Sequence, residues 1–229
     1  MPSGCTLVMD TSASPLLLAL EKGEKLYVSR RKGIKQERLL FPVLQTLLHK
    51  AGVKMSDISR LFIIRGPGRF TGIRIALTFG SMMQMLNKTE VYGATLFEVL
   101  YAQVLAGKTY QNWKKQYPTG AVAIVLHAFR EEYFLQIFDT QKSVPQWLSR
   151  EELLTQLANN PVPLFVAGTD KEFASLDKLL GPSFMLAPYP QCRVQAKTLV
   201  RLSQDACWKE KALDPLYLKP ARFELVKPK

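Results

Sequence analysis

The sequence predicts an α/β protein of two lobes. Two blocks of short apolar strands are each followed by helical patterns, and this order of elements packs helices against a sheet. The chain has 229 residues, of which 47% are hydrophobic, which is enough for a sizeable core. A polar and basic stretch at residues 110–120 separates the blocks, so we expect an N-terminal lobe at residues 1–108 and a C-terminal lobe at residues 109–229.

Three short strands open the N-terminal lobe. Apolar runs at residues 6–9, 16–20 and 26–30 have the length of strands, and Gly23 supplies a turn between the last two. The first run ends in the polar segment 10–12. Three consecutive strands indicate an antiparallel meander.

Two apolar helices follow the meander. In the first, apolar residues recur at spacings of three and four: Leu40, Val43, Leu44, Leu47, Leu48 and Ala51. A strand at 61–64 then leads into a glycine-rich segment, and Thr71 is the predicted N-cap of a second helix that runs to Leu86. That second helix is apolar on most sides, which is typical of a helix that is deeply buried or shared with a partner.

The rest of the chain repeats the alternation of strands and helices. We expect a strand at 91–94 and a helix at 96–105 in the N-terminal lobe. The C-terminal lobe has a predicted hairpin of strands 121–127 and 133–138, a helix at 150–157, a strand at 164–167 and a helix at 195–212.

The charge of the chain is strongly basic. Its formal net charge is +12, which suits contact with a polyanion such as tRNA. The alternative is that the lysines and arginines are scattered over the surface and serve solubility. The basic residues are densest at 30–35, 108–115 and 219–229. No long apolar run or basic N-terminal region is present, and the three cysteines are far apart. We therefore expect a cytoplasmic protein with no membrane segment.

Three patches together resemble one family. The first is the apolar run that ends in Asp10, Thr11 and Ser12, and the last is the segment 215–219, which reads PLYLK. The central patch is the most specific and consists of Arg65, Gly66, Pro67, Gly68, Arg69, Phe70, Thr71, Gly72, Ile73 and Arg74. In these patches, their spacing and its length, the chain resembles the TsaB family, also called YeaZ.

The resemblance implies a fold, a role and partners. The fold is the two-lobed one of the actin, hexokinase and Hsp70-like ATPases, with ribonuclease H-like lobes. The role is that of a non-catalytic subunit, without a cofactor, that supports N6-threonylcarbamoylation of adenosine 37 in tRNA. The partners are a TsaD-like catalytic subunit and a TsaE-like ATPase, while tRNA contact and a homodimer of the isolated chain stay open.

Catalysis of this transfer in the catalytic relative needs a metal held by paired histidines. The chain has two histidines, His49 and His127, which are far apart in the sequence and form no HxxxH motif. We therefore expect no catalytic metal site. The alternatives are a nucleotide-binding enzyme of the same superfamily and a stand-alone basic tRNA-binding protein.

Asp10, Thr11 and Ser12 are weak candidates for nucleotide binding. In ATPases of the fold that the resemblance implies, an aspartate at the end of the first strand helps to place Mg²⁺ and phosphate. The alternative, which we favour, is that these side chains satisfy backbone groups within a turn.

The glycine-rich segment also has two interpretations. Gly66 and Gly68, followed by a helix N-terminus, suit an anion site, and three arginines would add charge: Arg65, Arg69 and Arg74. The alternative, towards which we lean, is that the glycines form a tight turn and the arginines pair with carboxylates across an interface.

The two apolar helices carry the main prediction of a functional surface. Their residues offer more apolar surface than one lobe must bury, although an internal core explains the same pattern. The resemblance favours an interface in which these helices pack against the matching pair of the partner. The predicted interface residues are Leu40, Val43, Leu44, Leu47, Ile75, Phe79, Met82 and Met83.

Overall fold

The computed structural model describes residues 4–33, 36–139, 144–171, 174–205 and 214–219. The described residues pack into two compact units, which we call the first unit (Met1–Val99 and Val194–Leu216) and the second unit (Leu100–Arg193 and Tyr217–Lys229). Each unit has a five-stranded mixed sheet, which confirms the α/β class. The division into lobes at residues 1–108 and 109–229 stays a prediction.

The elements alternate as the sequence predicts. The described strands are β1 (Cys5–Asp10), β2 (Leu16–Lys22), β3 (Lys25–Arg31), β4 (Ile58–Ile64), β5 (Glu90–Ala94), β6 (Ala121–Phe129), β7 (Glu132–Phe138), β8 (Gln146–Ser149), β9 (Leu164–Thr169) and β10 (Met185–Leu186). The described α-helices are α1 (Gln36–Ala51), α2 (Phe70–Asn87), α3 (Leu96–Leu105), α4 (Lys108–Gln116), α5 (Arg150–Ala158), α6 (Asp177–Leu180) and α7 (Ala196–Ser203).

The sheet of the first unit has the strand order β3-β2-β1-β4-β5. Strands β1, β2 and β3 form the predicted antiparallel meander, and Gly23 takes a φ of +57° in the turn between β2 and β3. Strands β4 and β5 continue the sheet in parallel with β1. Every residue of β1 is buried, as expected for the central strand of a sheet that is covered on both faces.

Helices α1 and α2 form a hydrophobic core with this sheet. The buried side chains of that core include Leu7 and Met9 from β1, Leu18 from β2, Leu44 from α1 and Met83 from α2. These residues follow the period of two in strands and of three to four in helices, so one face of each element points to the core. Helix α7 also packs against this sheet, at β1, β2 and β4.

The sheet of the second unit repeats the topology of the first. Its order is β10-β9-β6-β7-β8, in which β6, β7 and β8 are antiparallel and β9 and β10 run parallel to β6. The predicted hairpin of residues 121–127 and 133–138 is confirmed as β6 and β7. Both units therefore show the order three-two-one-four-five for their strands.

One region differs from its prediction. Residues 110–120, expected to be a polar boundary, lie largely in helix α4. Tyr110 and Trp113 are three residues apart and buried, and their rings lie 5.4 and 5.3 Å from that of Phe165. Two aromatic side chains on one helix face are enough to dock an otherwise basic helix.

The helix expected at 195–212 is present in its first part as α7, and residues 206–212 of that prediction lie outside the described part of the chain. None of the helices among the described residues is long and apolar enough to cross a membrane.

Candidate functional site

A groove lies between α1 and α2 in the first unit. Its volume is about 410 Å³, and its lining residues are mostly apolar: Glu37, Leu40, Phe41, Phe70, Thr71, Arg74, Ile75, Thr78, Phe79 and Met82. We call this feature the α1–α2 groove. It lies on the two helices for which the sequence predicts a shared surface.

Two exposed phenylalanines border the groove. Phe41 is 50% exposed and Phe70 is 56% exposed, whereas Phe79, which also lines the groove, is only 4% exposed. The rings of Phe41 and Phe79 meet edge to face at 6.2 Å. The guanidinium of Arg74 lies 5.0 Å from the ring centre of Phe70, a cation–π geometry. The groove therefore has an apolar base and two accessible aromatic side chains.

The eight predicted interface residues divide into two sets. Leu40, Ile75, Phe79 and Met82 line the groove, while the other four lie in the core of the first unit: Val43, Leu44, Leu47 and Met83. The structure thus brings all eight to the same pair of helices. Their role in an interface stays a prediction.

Sequence reasoning missed Phe41 as a groove residue. Phe41 follows Leu40 directly, so a helix turns it about 100° away from the buried stripe. A large aromatic residue beside a complete apolar stripe is the signal that identifies it. Phe70 was predicted only as part of the glycine-rich segment, because its place before the helix hid its position on the groove.

Backbone hydrogen bonds hold the start of the glycine-rich segment on two sides. Arg65 N–H donates to Ala94 O at 2.9 Å, and Leu96 N–H donates to Gly66 O at 2.6 Å. On the other side, Leu216 N–H donates to Arg65 O at 2.8 Å. Leu216 belongs to the last of the three patches in the sequence, so the structure joins that patch to the central one.

Close backbone contacts explain both glycines of the turn. Gly66 has a φ of +122°, and a Cβ there would lie 2.5 Å from Leu216 O. A Cβ at Gly68 would lie 2.4 Å from Ser12 O. Both distances are too short for any side chain, so these glycines allow three backbone segments to meet. This geometry favours the tight-turn interpretation of the segment.

Helix α2 begins earlier than predicted, and its N-cap is not Thr71. The N-cap is Arg69, which makes no side-chain capping bond, and Thr71 is exposed within the first turn. The backbone of the β1 turn holds the helix start instead, since Arg69 N–H donates to Ser12 O at 2.7 Å. A tertiary contact therefore replaces the local cap that the sequence suggested.

The polar residues after β1 make their hydrogen bonds inside the first unit. The backbone N–H and the hydroxyl of Ser12 donate to Asp10 Oδ1 at 2.9 and 2.6 Å, and the Thr11 hydroxyl donates to Gly72 O at 2.7 Å. Burial raises the pKa of Asp10, while the hydrogen bonds from Ser12 and the charge of Arg30 oppose that rise. The three side chains thus support the turn, and nucleotide binding at them stays a prediction.

The two histidines belong to different units. His49 is exposed on α1, and His127 is half-buried on β6 with its Nε2 atom 2.9 Å from Arg130 O. Among the described residues, no group of three histidine, cysteine, aspartate or glutamate side chains is placed to hold a metal ion.

The chain is similar to proteins of tRNA modification. The family model described as "TsaD: tRNA N6-adenosine threonylcarbamoyltransferase" matches residues 35–136. A protein of Buchnera aphidicola from Schizaphis graminum, named tRNA threonylcarbamoyladenosine biosynthesis protein TsaB, is 27% identical over 50% of this chain and 52% of its own length. A Haemophilus influenzae protein of the same name is 28% identical over 35% of this chain and 37% of its own.

The chain is therefore similar to members of the TsaB (YeaZ) family. It spans about half the length of the first curated relative it matches. The solved structure of YeaZ from Pseudomonas aeruginosa is similar over 94% of this chain and 100% of that protein, with a TM-score of 0.65 and 21% identity. That likeness concerns the fold, and with the repeated sheet order it confirms the predicted two-lobed fold of the TsaB family.

Proposed function

We propose that this chain is a non-catalytic subunit that binds a TsaD-like catalytic subunit for N6-threonylcarbamoylation of adenosine 37 in tRNA. The α1–α2 groove carries the proposal, because Phe41 and Phe70 expose about half of their surface beside an apolar cavity. Accessible aromatic residues next to a pocket are typical anchors of protein interfaces. The relatives named TsaB support the assignment to tRNA threonylcarbamoyladenosine biosynthesis.

The predicted interface residues have two roles in this proposal. Leu40, Ile75, Phe79 and Met82 form the apolar base of the groove that a partner helix would cover. Val43, Leu44, Leu47 and Met83 fix α1 and α2 on the sheet, so that the groove is preformed. A preformed groove lowers the entropy lost on binding, which strengthens the complex.

The non-catalytic role rests on the sequence and on the resemblance. The catalytic relative that the resemblance implies holds a metal through paired histidines. The two histidines of this chain, His49 and His127, belong to different units. The chain would supply a binding surface, and the chemistry would take place on the TsaD-like subunit.

The proposal includes further partners and a homodimer. A TsaE-like ATPase and tRNA complete the complex, and its place of action is the cytoplasm. The isolated chain would use the same apolar groove to form a homodimer, because an apolar surface with two exposed phenylalanines favours self-association when the partner is absent.

The test is co-purification of the chain with the TsaD homologue of the same organism. The test variant combines Phe41→Glu and Phe70→Glu, which place two carboxylates beside the groove. The matched control is Phe129→Glu, since Phe129 is also 50% exposed but lies on β6 of the second unit. Circular dichroism and thermal denaturation establish that each variant is folded.

The proposal expects a stable complex for the wild type and the control, and its loss for the double variant. A folded double variant that still forms the complex would exclude the α1–α2 groove as the docking surface. If the wild-type chain forms no complex, the assignment as a TsaD-binding subunit is wrong.

A further inference from the structure

A second groove of the first unit lies between the edge strand β3 and helix α1. It has a volume of about 280 Å³. Strand β3 contributes Tyr27, Ser29 and Arg31 to its lining, and α1 contributes Thr46 and Lys50. None of the described residues that line this groove is acidic. Its hydrogen-bonding side chains are therefore hydroxyls and cations, which suit an anion.

The two cations lie at opposite ends of the groove. Lys22, which pairs with Lys25 at the start of β3, donates from its Nζ atom to Ala51 O at 3.2 Å. The C-terminal end of α1, with Lys50, is therefore beside the start of β3, whereas Arg31 ends that strand. Arg31 is six residues beyond Lys25, and six residues of a strand span about 20 Å, so the two ends of the groove are separated by roughly that distance.

This separation favours a chain of phosphates over a single small anion. A single phosphate can contact only one of the two cations. A nucleic-acid backbone carries a phosphate on every nucleotide and can contact both. The hydroxyls of Tyr27 and Ser29 lie between the ends and can donate to sugar and phosphate oxygens, whereas the Thr46 hydroxyl already donates to Pro42 O at 2.8 Å. The net charge of +12 increases the attraction to any such backbone.

An acidic polypeptide added to β3 as a further strand fits these observations less well. Strand β3 is the terminal strand of its sheet, and a new strand would form its hydrogen bonds in the plane of that sheet. The groove lies instead mainly on the face that α1 covers, because three of the four β3 residues that line it, Tyr27, Ser29 and Arg31, alternate along the strand; the fourth is Val28.

We propose that the β3–α1 groove binds the sugar-phosphate backbone of RNA. The proposal rests on the proposed function for its choice of RNA, which is the tRNA substrate of the complex. Arg31 and Lys50 each contact a phosphate, and the hydroxyls between them position the backbone. The groove gives the basic segment at residues 30–35 a role, although residue 35 lies outside the described residues.

The test measures binding of an unmodified tRNA transcript to the full chain by fluorescence anisotropy over a range of salt concentrations. The test variant combines Arg31→Gln and Lys50→Gln. The control combines Lys178→Gln and Lys197→Gln, which removes the same charge from exposed positions elsewhere. We expect the test variant to lose at least about tenfold in affinity at low salt, and its salt slope to fall by roughly 1.4–1.8, since each phosphate contact contributes about 0.7–0.9. The control should keep the slope of the wild type.

Three results would overturn the inference. The first is an equal loss in both variants, which would mean that tRNA responds only to the total charge. The second is binding of polyglutamate that depends on Arg31 and Lys50 while tRNA binding does not, which would assign the groove to an acidic polypeptide. Co-purification with the TsaD homologue separates the two proposals. The third is unchanged tRNA binding by the Arg31→Gln, Lys50→Gln variant while it still forms the complex with the TsaD homologue. That result would reject the β3–α1 groove as the RNA site and leave the proposed function intact.

Discussion

Replacing Phe41 with alanine should weaken the partner complex while leaving the chain folded. A phenylalanine side chain buries about 150–250 Å² when it is fully enclosed. Because Phe41 is 50% exposed, roughly 100 Å² remains for a partner to cover. At about 25 cal/mol per Å² the loss of this contact costs about 2.5 kcal/mol of binding free energy, or roughly a 70-fold rise in Kd.

Replacing Phe79 with alanine should instead act mainly on the stability of the fold. Phe79 is 4% exposed and belongs to the core of the first unit, so Phe79→Ala should lower the free energy of unfolding by about 3–5 kcal/mol. In Phe41→Ala the unfolding free energy should fall by only about 0.5–1.5 kcal/mol, for the lost ring contact with Phe79.

The assay compares two measurements on each variant. Titration calorimetry with the TsaD homologue gives the Kd, and urea denaturation gives the free energy of unfolding. If Phe41→Ala remains folded and binds the TsaD homologue with the affinity of the wild type, the exposed surface of Phe41 has no part in docking, contrary to this prediction.

Three further outcomes test the loop, the buried carboxyl and the rival nucleotide site. Gly68→Ala should lower the free energy of unfolding by about 2–4 kcal/mol in urea denaturation, since its Cβ would lie 2.4 Å from Ser12 O. The control Gly52→Ala should lower it by only about 1 kcal/mol, because Gly52 has a φ of +60° but no atom within 4 Å of the added Cβ. Equal losses in the two variants would contradict the role of the close contact at Gly68. Asp10→Asn should raise the Tm at pH 7, because burial raises the pKa of Asp10 in the folded state. The contribution of Asp10 to stability is therefore complete below its unfolded pKa of about 3.9 and is lost as the pH rises through its folded pKa. The gain in Tm should shrink below about pH 4, and a gain that is the same at every pH would count against this assignment. Calorimetric titration with ATP and Mg²⁺ should give the same result for the wild type and Asp10→Ala, whereas tight binding that is lost in Asp10→Ala would establish the nucleotide-binding alternative.

Much of the fold could be predicted from residue patterns. The meander of β1, β2 and β3 and the hairpin of β6 and β7 follow from apolar runs separated by turn residues, and α1 follows from leucines at helical spacing. These signals are local, so one sequence contains them in full. Helix α4 was missed because its docking depends on Phe165, a residue some fifty positions away in another element.

The candidate site was predicted only in part. The sequence located the two helices, since apolar residues on most sides of α2 indicate burial or a partner. It did not separate the residues that face the sheet from those that face the groove. That separation depends on how α1 and α2 pack together, and it changes the choice of residue for an interface test from Phe79 to Phe41 and Phe70.

The order of most strands and helices, the family resemblance and the basic charge follow from the sequence alone, because each of these is a property of neighbouring residues or of composition. Only the tertiary structure shows that Gly66 and Gly68 serve close backbone contacts, that the buried Asp10 accepts hydrogen bonds from Ser12, and that Phe41 is accessible. The physical reason is that each of these features requires the packing of segments that are distant in the chain, and such contacts leave no periodic pattern within either segment.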